Sequence, residues 1–314
     1  MSGQTSFKSL PPKVAVTGAG GFIGSTVAAA LHARGVRVRA HVGPDGYAGR
    51  ALPEGVEIVH ADIGDASAMR AIVSGCDAVI HLAGPPSVRA SFERAAEYVA
   101  VHVGGTTVSL QACVDEGVRR FVYLSSADVY GRPQTERVAE DHPLSARSPY
   151  AAAKIGAEQM VGAFAHARGL DTAILRPFSI YGPGMSRESL LWTILDQARS
   201  QDEIVLADLK PVRDYCYVDD LAEAVVVASS GSIASPLIVN VGTGIGTCVA
   251  DLACIVLEIV GARARVAERT RDKRPGDSEI YRLVADTSKA QTALGWKPAT
   301  SLTSGLRMMI DAPA

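Results

Sequence analysis

The feature that most narrows the fold is a rhythm. Short runs rich in apolar residues occur at Lys13–Thr17, Ala78–Leu82, Phe121–Ser125 and Ala173–Arg176, with two further β-like runs, Val36–Val42 and Val56–His60, that carry charged residues as well. Between them lie segments with helical spacing, about Phe22 to Ala33, Ala66 to Ile72, Glu93 to Glu116 and Tyr150 to Arg168. A strand that is apolar on both sides must be covered on both sides. Strands of that kind alternating with helices predict an α/β fold, a doubly wound parallel sheet with helices on each face. Ligands of such sheets bind outside the carboxyl ends of the strands.

Beyond Arg176 the rhythm loosens. Pro177, Pro183 and Gly184 interrupt it, and charges gather near Arg213-Asp214 and from Arg269 to Asp277. The predicted division is a dinucleotide-binding domain over 11–178 with sheet elements from about 212–241. A smaller, interleaved C-terminal substrate-binding lobe is expected from 179–211 and 242–314.

The nucleotide expectation rests on Thr17 to Gly24, which follows the first strand and opens the first helix. Gly18, Gly21 and Gly24 permit a tight bend, a close approach of backbone N–H groups to a pyrophosphate, and close helix–sheet packing. Phe22 and Ile23 lie on the same turn. The strand–turn–helix context makes the glycine spacing specific. The second strand of such a unit ends on an acidic group for the adenosine ribose, but the position here is Val42, between His41 and Gly43. No Arg or Lys stands there for a 2′-phosphate either. Asp45 lies just beyond, so NAD is favoured and NADP is not excluded. Asp62, after the third strand, is placed for the adenine edge or for a turn.

Ser148-Pro149-Tyr150-Ala151-Ala152-Ala153-Lys154 puts Tyr150 and Lys154 on one face of a helix. A free tyrosine titrates near ~10, and a neighbouring ammonium favours the phenolate. Tyr150 then suits a proton acceptor at a hydroxyl group. Ser126 ends the strand just upstream and is placed to hydrogen-bond the same oxygen. Ser125 and Ser126 should point oppositely, so only one serves.

Composition sets the remaining bounds. With 31 basic and 33 acidic residues the net charge is −2, which gives no electrostatic case for nucleic acid or membrane as partner. The N-terminus lacks a signal-peptide core, and Glu223 and Glu258 break the longest apolar stretches. A cytoplasmic enzyme is expected. Five scattered cysteines without a CxxC pair suggest reduced, packed thiols, with no disulfide framework and no metal site.

Together these residues resemble the extended short-chain dehydrogenase/reductase family, the nucleotide-sugar epimerases, dehydratases and decarboxylases with Rossmann sheets. Val16 to Gly24 is similar to its cofactor loop, His81-Leu82-Ala83-Gly84 to the segment after its fourth strand, and Leu124 to Gly131 to its serine segment. Tyr150 to Lys154 is similar to its catalytic helix. Arg176 to Gly184, Arg213 to Leu221 and Arg274 to Asp277 resemble its substrate segments.

The resemblance implies Ile63, Leu82, Ala83 and Pro177 as further cofactor contacts. It implies Ser87, Ser126 and Ser179 as substrate contacts, and Arg213 and Arg274 as diphosphate ligands. It also implies a nucleotide-diphosphate sugar as substrate and a homodimer packed through the Tyr150 helix and the one before it. The chain departs from the family pattern at Ser179 and His102, where Asn is usual, at Val42, and at Ala207-Asp208-Leu209, which lacks glycine. Ala127-Asp128 replaces the acidic pair of dehydratases, so Asp128 stands alone as a candidate acid–base group. The reading is an NAD-dependent 4-epimerase. A 4,6-dehydratase, a 4-ketosugar reductase and a non-catalytic dinucleotide-binding regulator are the alternatives.

Overall fold

The computed structural model describes residues 10–44, 46, 51–230, 235–269 and 279–312. The chain starts with β1 (Lys13–Thr17), α1 (Phe22–His32), β2 (Arg37–Val42), β3 (Glu57–His60), α2 (Ala66–Val73) and β4 (Ala78–His81). Two short helices, α3 (Val88–Ser91) and α4 (Ala95–Val99), precede a π-helical segment, Ala100–Gly105, that runs into α5 (Thr106–Asp115). Then come β5 (Arg120–Leu124), α6 (Pro149–Arg168), β6 (Asp171–Pro177) and β7 (Ser179–Tyr181). The remainder is α7 (Leu190–Ser200), β8 (Glu203–Leu206), β9 (Val212–Tyr217), α8 (Val218–Ser229), β10 (Leu237–Val241), β11 (Gly246–Cys248) and α9 (Val249–Val260). It closes with β12 (Arg265–Glu268), β13 (Arg282–Leu283), α10 (Ser288–Leu294) and α11 (Leu302–Asp311).

Seven strands form the main sheet in the order β10-β6-β5-β4-β1-β2-β3, and every neighbouring pair is parallel. This is the doubly wound, Rossmann-like sheet that the apolar runs predict. Alternate residues of one strand feed two cores. Val14, Val16, Ile80 and Val122 pack with α1 and α8 on one face, and Ala15, Val79, Phe121 and Tyr123 with α2, α5 and α6 on the other. The strand order reverses between β1 and β4, which opens the ligand crevice there.

One part of the sequence reading is corrected. Of the stretch 212–241, only β10 joins the main sheet. β9 is the centre of a four-stranded sheet, paired with β11, β13 and β7. Its alternation buries Tyr215 and Tyr217 against α7, α9 and α11 in a separate apolar cluster. The single helix expected from Glu93 to Glu116 is likewise three segments. Thr106, Thr107 and Ser109 each bond the carbonyl four residues earlier, and Gly104-Gly105 is a weak helical stretch. The wider π turn rotates His102 inward.

Local signals explain α6, which carries the Tyr–Lys pair. Ser148 accepts the N–H of Ala151 at 3.1 Å as N-cap, Pro149 occupies the first turn, and Gly169 ends the helix with φ 65°. Of the five cysteines, Cys76, Cys113 and Cys216 are buried as expected of packed thiols. Cys248 caps α9 and Cys254 is exposed.

Candidate active site

At the switch point the backbone of the glycine loop and the segment after β4 touch. Gly18 has φ +69°, and a Cβ on it would lie 2.8 Å from the Ala83 backbone. A Cβ on Gly24 would lie 2.0 Å from the Gly18 carbonyl oxygen. Only glycine fits either place. Helix α1 starts at Gly21 with no side-chain cap and no acid in its first turn, so its leading N–H groups are left for an anion. Thr17 Oγ1 accepts the N–H groups of Leu82 at 3.2 Å and Ala83 at 3.3 Å, which ties the two strand ends together. These residues fit a dinucleotide pyrophosphate.

His41, next to the missing acid, is buried and takes a structural part. Its Nδ1 accepts Gly18 N–H at 3.3 Å and its Nε2 bonds Ala61 O at 3.1 Å. Burial holds its pKa below the usual imidazole range. Asp62 Oδ1 accepts Gly64 N–H at 2.7 Å in a turn, while Ile63 packs against Gly105.

Ser126, Asp128, Tyr150 and Lys154 converge. Ser126 is extended (φ −157°) and caps a short 3-10 turn, Ala127–Tyr130. Its Oγ accepts Asp128 N–H at 3.2 Å, donates to Asp128 Oδ2 at 3.4 Å, and is hydrogen-bonded to Tyr150. The preceding Ser125 donates in the opposite direction, to Glu158. Lys154 Nζ donates to Leu124 O at 2.8 Å and lies 5.0 Å from the Tyr123 ring and 5.8 Å from the Tyr150 ring. The His102 ring meets Tyr150 edge-on at 5.5 Å. Its Nε2 bonds Pro85 O, and its buried Nδ1 has no hydrogen-bond partner among the described residues.

The electrostatics differ from the expectation drawn from spacing. Burial pushes the Tyr150 phenol well above its usual range, and the Asp128 carboxylate adds to this. The bond from Ser126 opposes both without reversing them. Burial likewise lowers Lys154 to about 7 against the pull of Glu158, and lowers His102 to about 3. Desolvation is the largest cause at all three groups because they are almost sealed from water. The neighbouring charge opposes it at Lys154 and adds to it at Tyr150 and His102.

A cleft of about 970 Å³ is lined by Ser179, Arg132, Arg213, Tyr215, Glu279 and Tyr281 among others. Arg213 pairs with Glu279 at 3.2 Å.

The model of the NAD dependent epimerase/dehydratase family matches residues 14–242. The chain belongs to that family. A UDP-glucose 4-epimerase of Azospirillum brasilense is 32% identical, aligned over 94% of this chain and 90% of its own. A dTDP-glucose 4,6-dehydratase of Actinoplanes sp. is 29% identical, over 94% and 95%. Among solved structures, MoeE5 in complex with UDP-glucose and NAD superposes with TM-score 0.85 at 30% identity, over 95% of this chain and 97% of that one.

Within this epimerase/dehydratase, the expected cofactor residues Gly18, Gly21, Phe22, Ile23 and Gly24 follow β1, and Leu82 and Ala83 follow β4, whose end is bonded to Thr17. Pro177 ends β6 on the same edge of the sheet. Ser87 caps α3, its hydroxyl accepting Ala90 N–H at 3.1 Å. Arg274 and Asp45 lie outside the described residues. Sequence reasoning missed Glu158 and Arg176 as partners of the site, although Tyr150, Lys154 and Glu158 fall four residues apart along one helix face. It also missed why Asp214 follows Arg213. That buried carboxylate accepts Thr243 N–H, Thr243 Oγ1–H, Gly244 N–H and Ala285 N–H.

Proposed function

We propose that this family member is an NAD-dependent nucleotide-sugar 4-epimerase with Tyr150 as the group that exchanges a proton with the sugar's 4-hydroxyl. The observation that carries the reading is the Ser126–Tyr150 pair with a single carboxylate, Asp128, beside it. Removing water from a sugar needs an acid for the departing oxygen as well as a base, and position 127 offers only the buried methyl of Ala127. Ser126 steadies the developing carbonyl oxygen. NAD, when bound, supplies the hydride acceptor and a positive charge that favours the phenolate. Lys154 adds charge of the same sign behind the Tyr150 ring.

Gly18, Gly21, Gly24 and the open end of α1 hold the pyrophosphate. Arg213, exchanging Glu279 for phosphate oxygens, grips the sugar nucleotide's diphosphate, with Arg274 as its expected second. The reading divides the chain into a cofactor domain over 11–178, extended by β10, and a substrate lobe from 179–211 and 242–314. It includes a homodimer through α6 and the helices before it.

The test is incubation of the purified protein, with no added cofactor, with UDP-, dTDP-, GDP- and CDP-sugars, followed by chromatography and mass spectrometry. A product of unchanged mass is expected, and Tyr150→Phe should lower turnover at least ~100-fold while keeping the dinucleotide. Loss of one water would replace this reading with a dehydratase using Asp128. Turnover only with NAD(P)H and a 4-keto sugar would replace it with a reductase. A bound dinucleotide without any turnover would point to a regulator.

A further inference from the structure

Behind the Tyr150–Lys154 pair lies a buried ionic network that the proposed proton exchange does not use directly. Glu158 is one helical turn beyond Lys154, and its side chain is 3% exposed. Arg176, at the end of β6, grips it with Nε to Oε1 at 2.9 Å and Nη2 to Oε2 at 2.6 Å. The same Oε1 accepts the hydroxyl of Ser125, the residue before Ser126. Arg176 continues through Nη1 to Tyr130 OH at 2.9 Å and Glu140 O at 3.1 Å. Tyr130 in turn donates to Asn240 Oδ1 at 2.6 Å. One carboxylate thus joins α6, the serine segment and β6, the three elements that meet at the proposed reacting atoms.

A buried ion pair is a poor stabiliser compared with a packed apolar pair, so its placement calls for another reason. The groups around Lys154 supply one. Its own helix presents Tyr150 and Glu158, β5 presents Tyr123 and the Leu124 carbonyl, the π segment presents His102, β4 presents His81 and β6 presents Arg176. Both imidazoles are held neutral by burial, and each feels the Lys154 charge as a further disfavouring neighbour. Among the described residues facing the ammonium, Glu158 is the group whose charge favours it.

We propose that Glu158 is a positioning residue that keeps Lys154 charged and locks the Tyr150 helix and the Ser126 strand end onto β6 through Arg176. It does not touch substrate. It acts through Lys154, Ser125 and Arg176. The charge it favours matters because burial lowers Lys154 to about 7 even against the pull of Glu158, and an uncharged amine would no longer favour a Tyr150 phenolate. The catalytic consequence rests on the Tyr150 assignment above, whereas the charge effect stands without it.

The test is therefore made on the protein without substrate. The chain has seven lysines, so its ¹³Cε-lysine NMR spectrum is sparse, and the resonance lost in Lys154→Met identifies Lys154. In Glu158→Gln the Lys154 titration midpoint should fall by on the order of one pH unit. An unchanged midpoint in a folded Glu158→Gln protein would overturn the proposal. Breaking a buried pair is strongly destabilising, so the paired variant Glu158→Met/Arg176→Met provides a second reading. It should fold, and its Lys154 midpoint should still lie below that of the wild type. A midpoint restored to the wild-type value there would also refute the role.

Once a turnover assay exists, kcat of Glu158→Gln near pH 7.5 should drop on the order of tenfold, as a one-unit shift requires. It should recover as pH is lowered, with KM little changed. A merely structural defect would not be rescued by acid, and that outcome would reject the coupling while leaving the Tyr150 assignment standing.

Discussion

Burial shifts Lys154 and Tyr150 in opposite senses, each toward its neutral form. The ammonium loses hydration and falls to about 7, while the phenol loses the hydration its anion would need and rises. The sign of the stability effect follows. Between the folded Lys154 pKa of about 7 and the ordinary lysine value of 10.5, the unfolded chain binds the extra proton. Lys154 therefore makes stability rise with pH across that window, and below it the buried charge is a full burden. Lys154→Met should raise Tm most at pH 6, with the gain over wild type shrinking toward pH 9. Parallel Tm profiles from pH 6 to pH 9 by scanning calorimetry would contradict it. The Tyr–Lys spacing was plain in the sequence. The direction of its titration was not, because burial is set by β5, the π segment and the serine turn together.

Among the elements, β9 shows how one residue can tie a small sheet to the large one. Asp214 is fully buried, and its four hydrogen bonds reach the loop after β10 and the chain just after β13. The neighbouring Arg213 alternates to the cleft side and faces Glu279. An adjacent Arg-Asp pair thus divides into a cleft cation and a structural anchor. Hydrogen bonds to a charged acceptor are worth about 1.5–3 kcal/mol each, and buried donors left unpaired are costly. Asp214→Ala should therefore lose at least about 3 kcal/mol in urea unfolding, and a loss below about 1 kcal/mol would show that other contacts hold the strap. The π segment makes the complementary point. The residues from Glu93 to Glu116 look helical throughout, but Gly104-Gly105 and the Thr–carbonyl bonds let one turn widen. That turn sets His102 against Tyr150, an arrangement no local periodicity announces.

For the whole molecule, the homodimer would use the outer side of α6. Ala151, Ala153 and Ala157 face its own core, whereas Ala152, Ala163 and Ala167 are exposed. Phe92 and Val99, 40% and 53% exposed, stand at and beside the preceding short helices. Small and apolar groups on that side suit close helix packing, so sedimentation should give a dimer at micromolar concentration. A monomer there would remove the dimer from the proposal. The sequence alone determined the doubly wound sheet, because strands apolar on both faces and separated by helices leave few other folds. It also determined the tight glycine turn after β1, since Gly18 and Gly24 are written into one contiguous segment whose geometry admits no Cβ. The spacing of Tyr150 and Lys154 likewise placed the two on one helix face. Only the tertiary structure decided that β9 leaves the main sheet and that Glu158 and Arg176 meet behind Lys154. These depend on which distant segments pack together, and the balance between desolvation and charge exists only once they have.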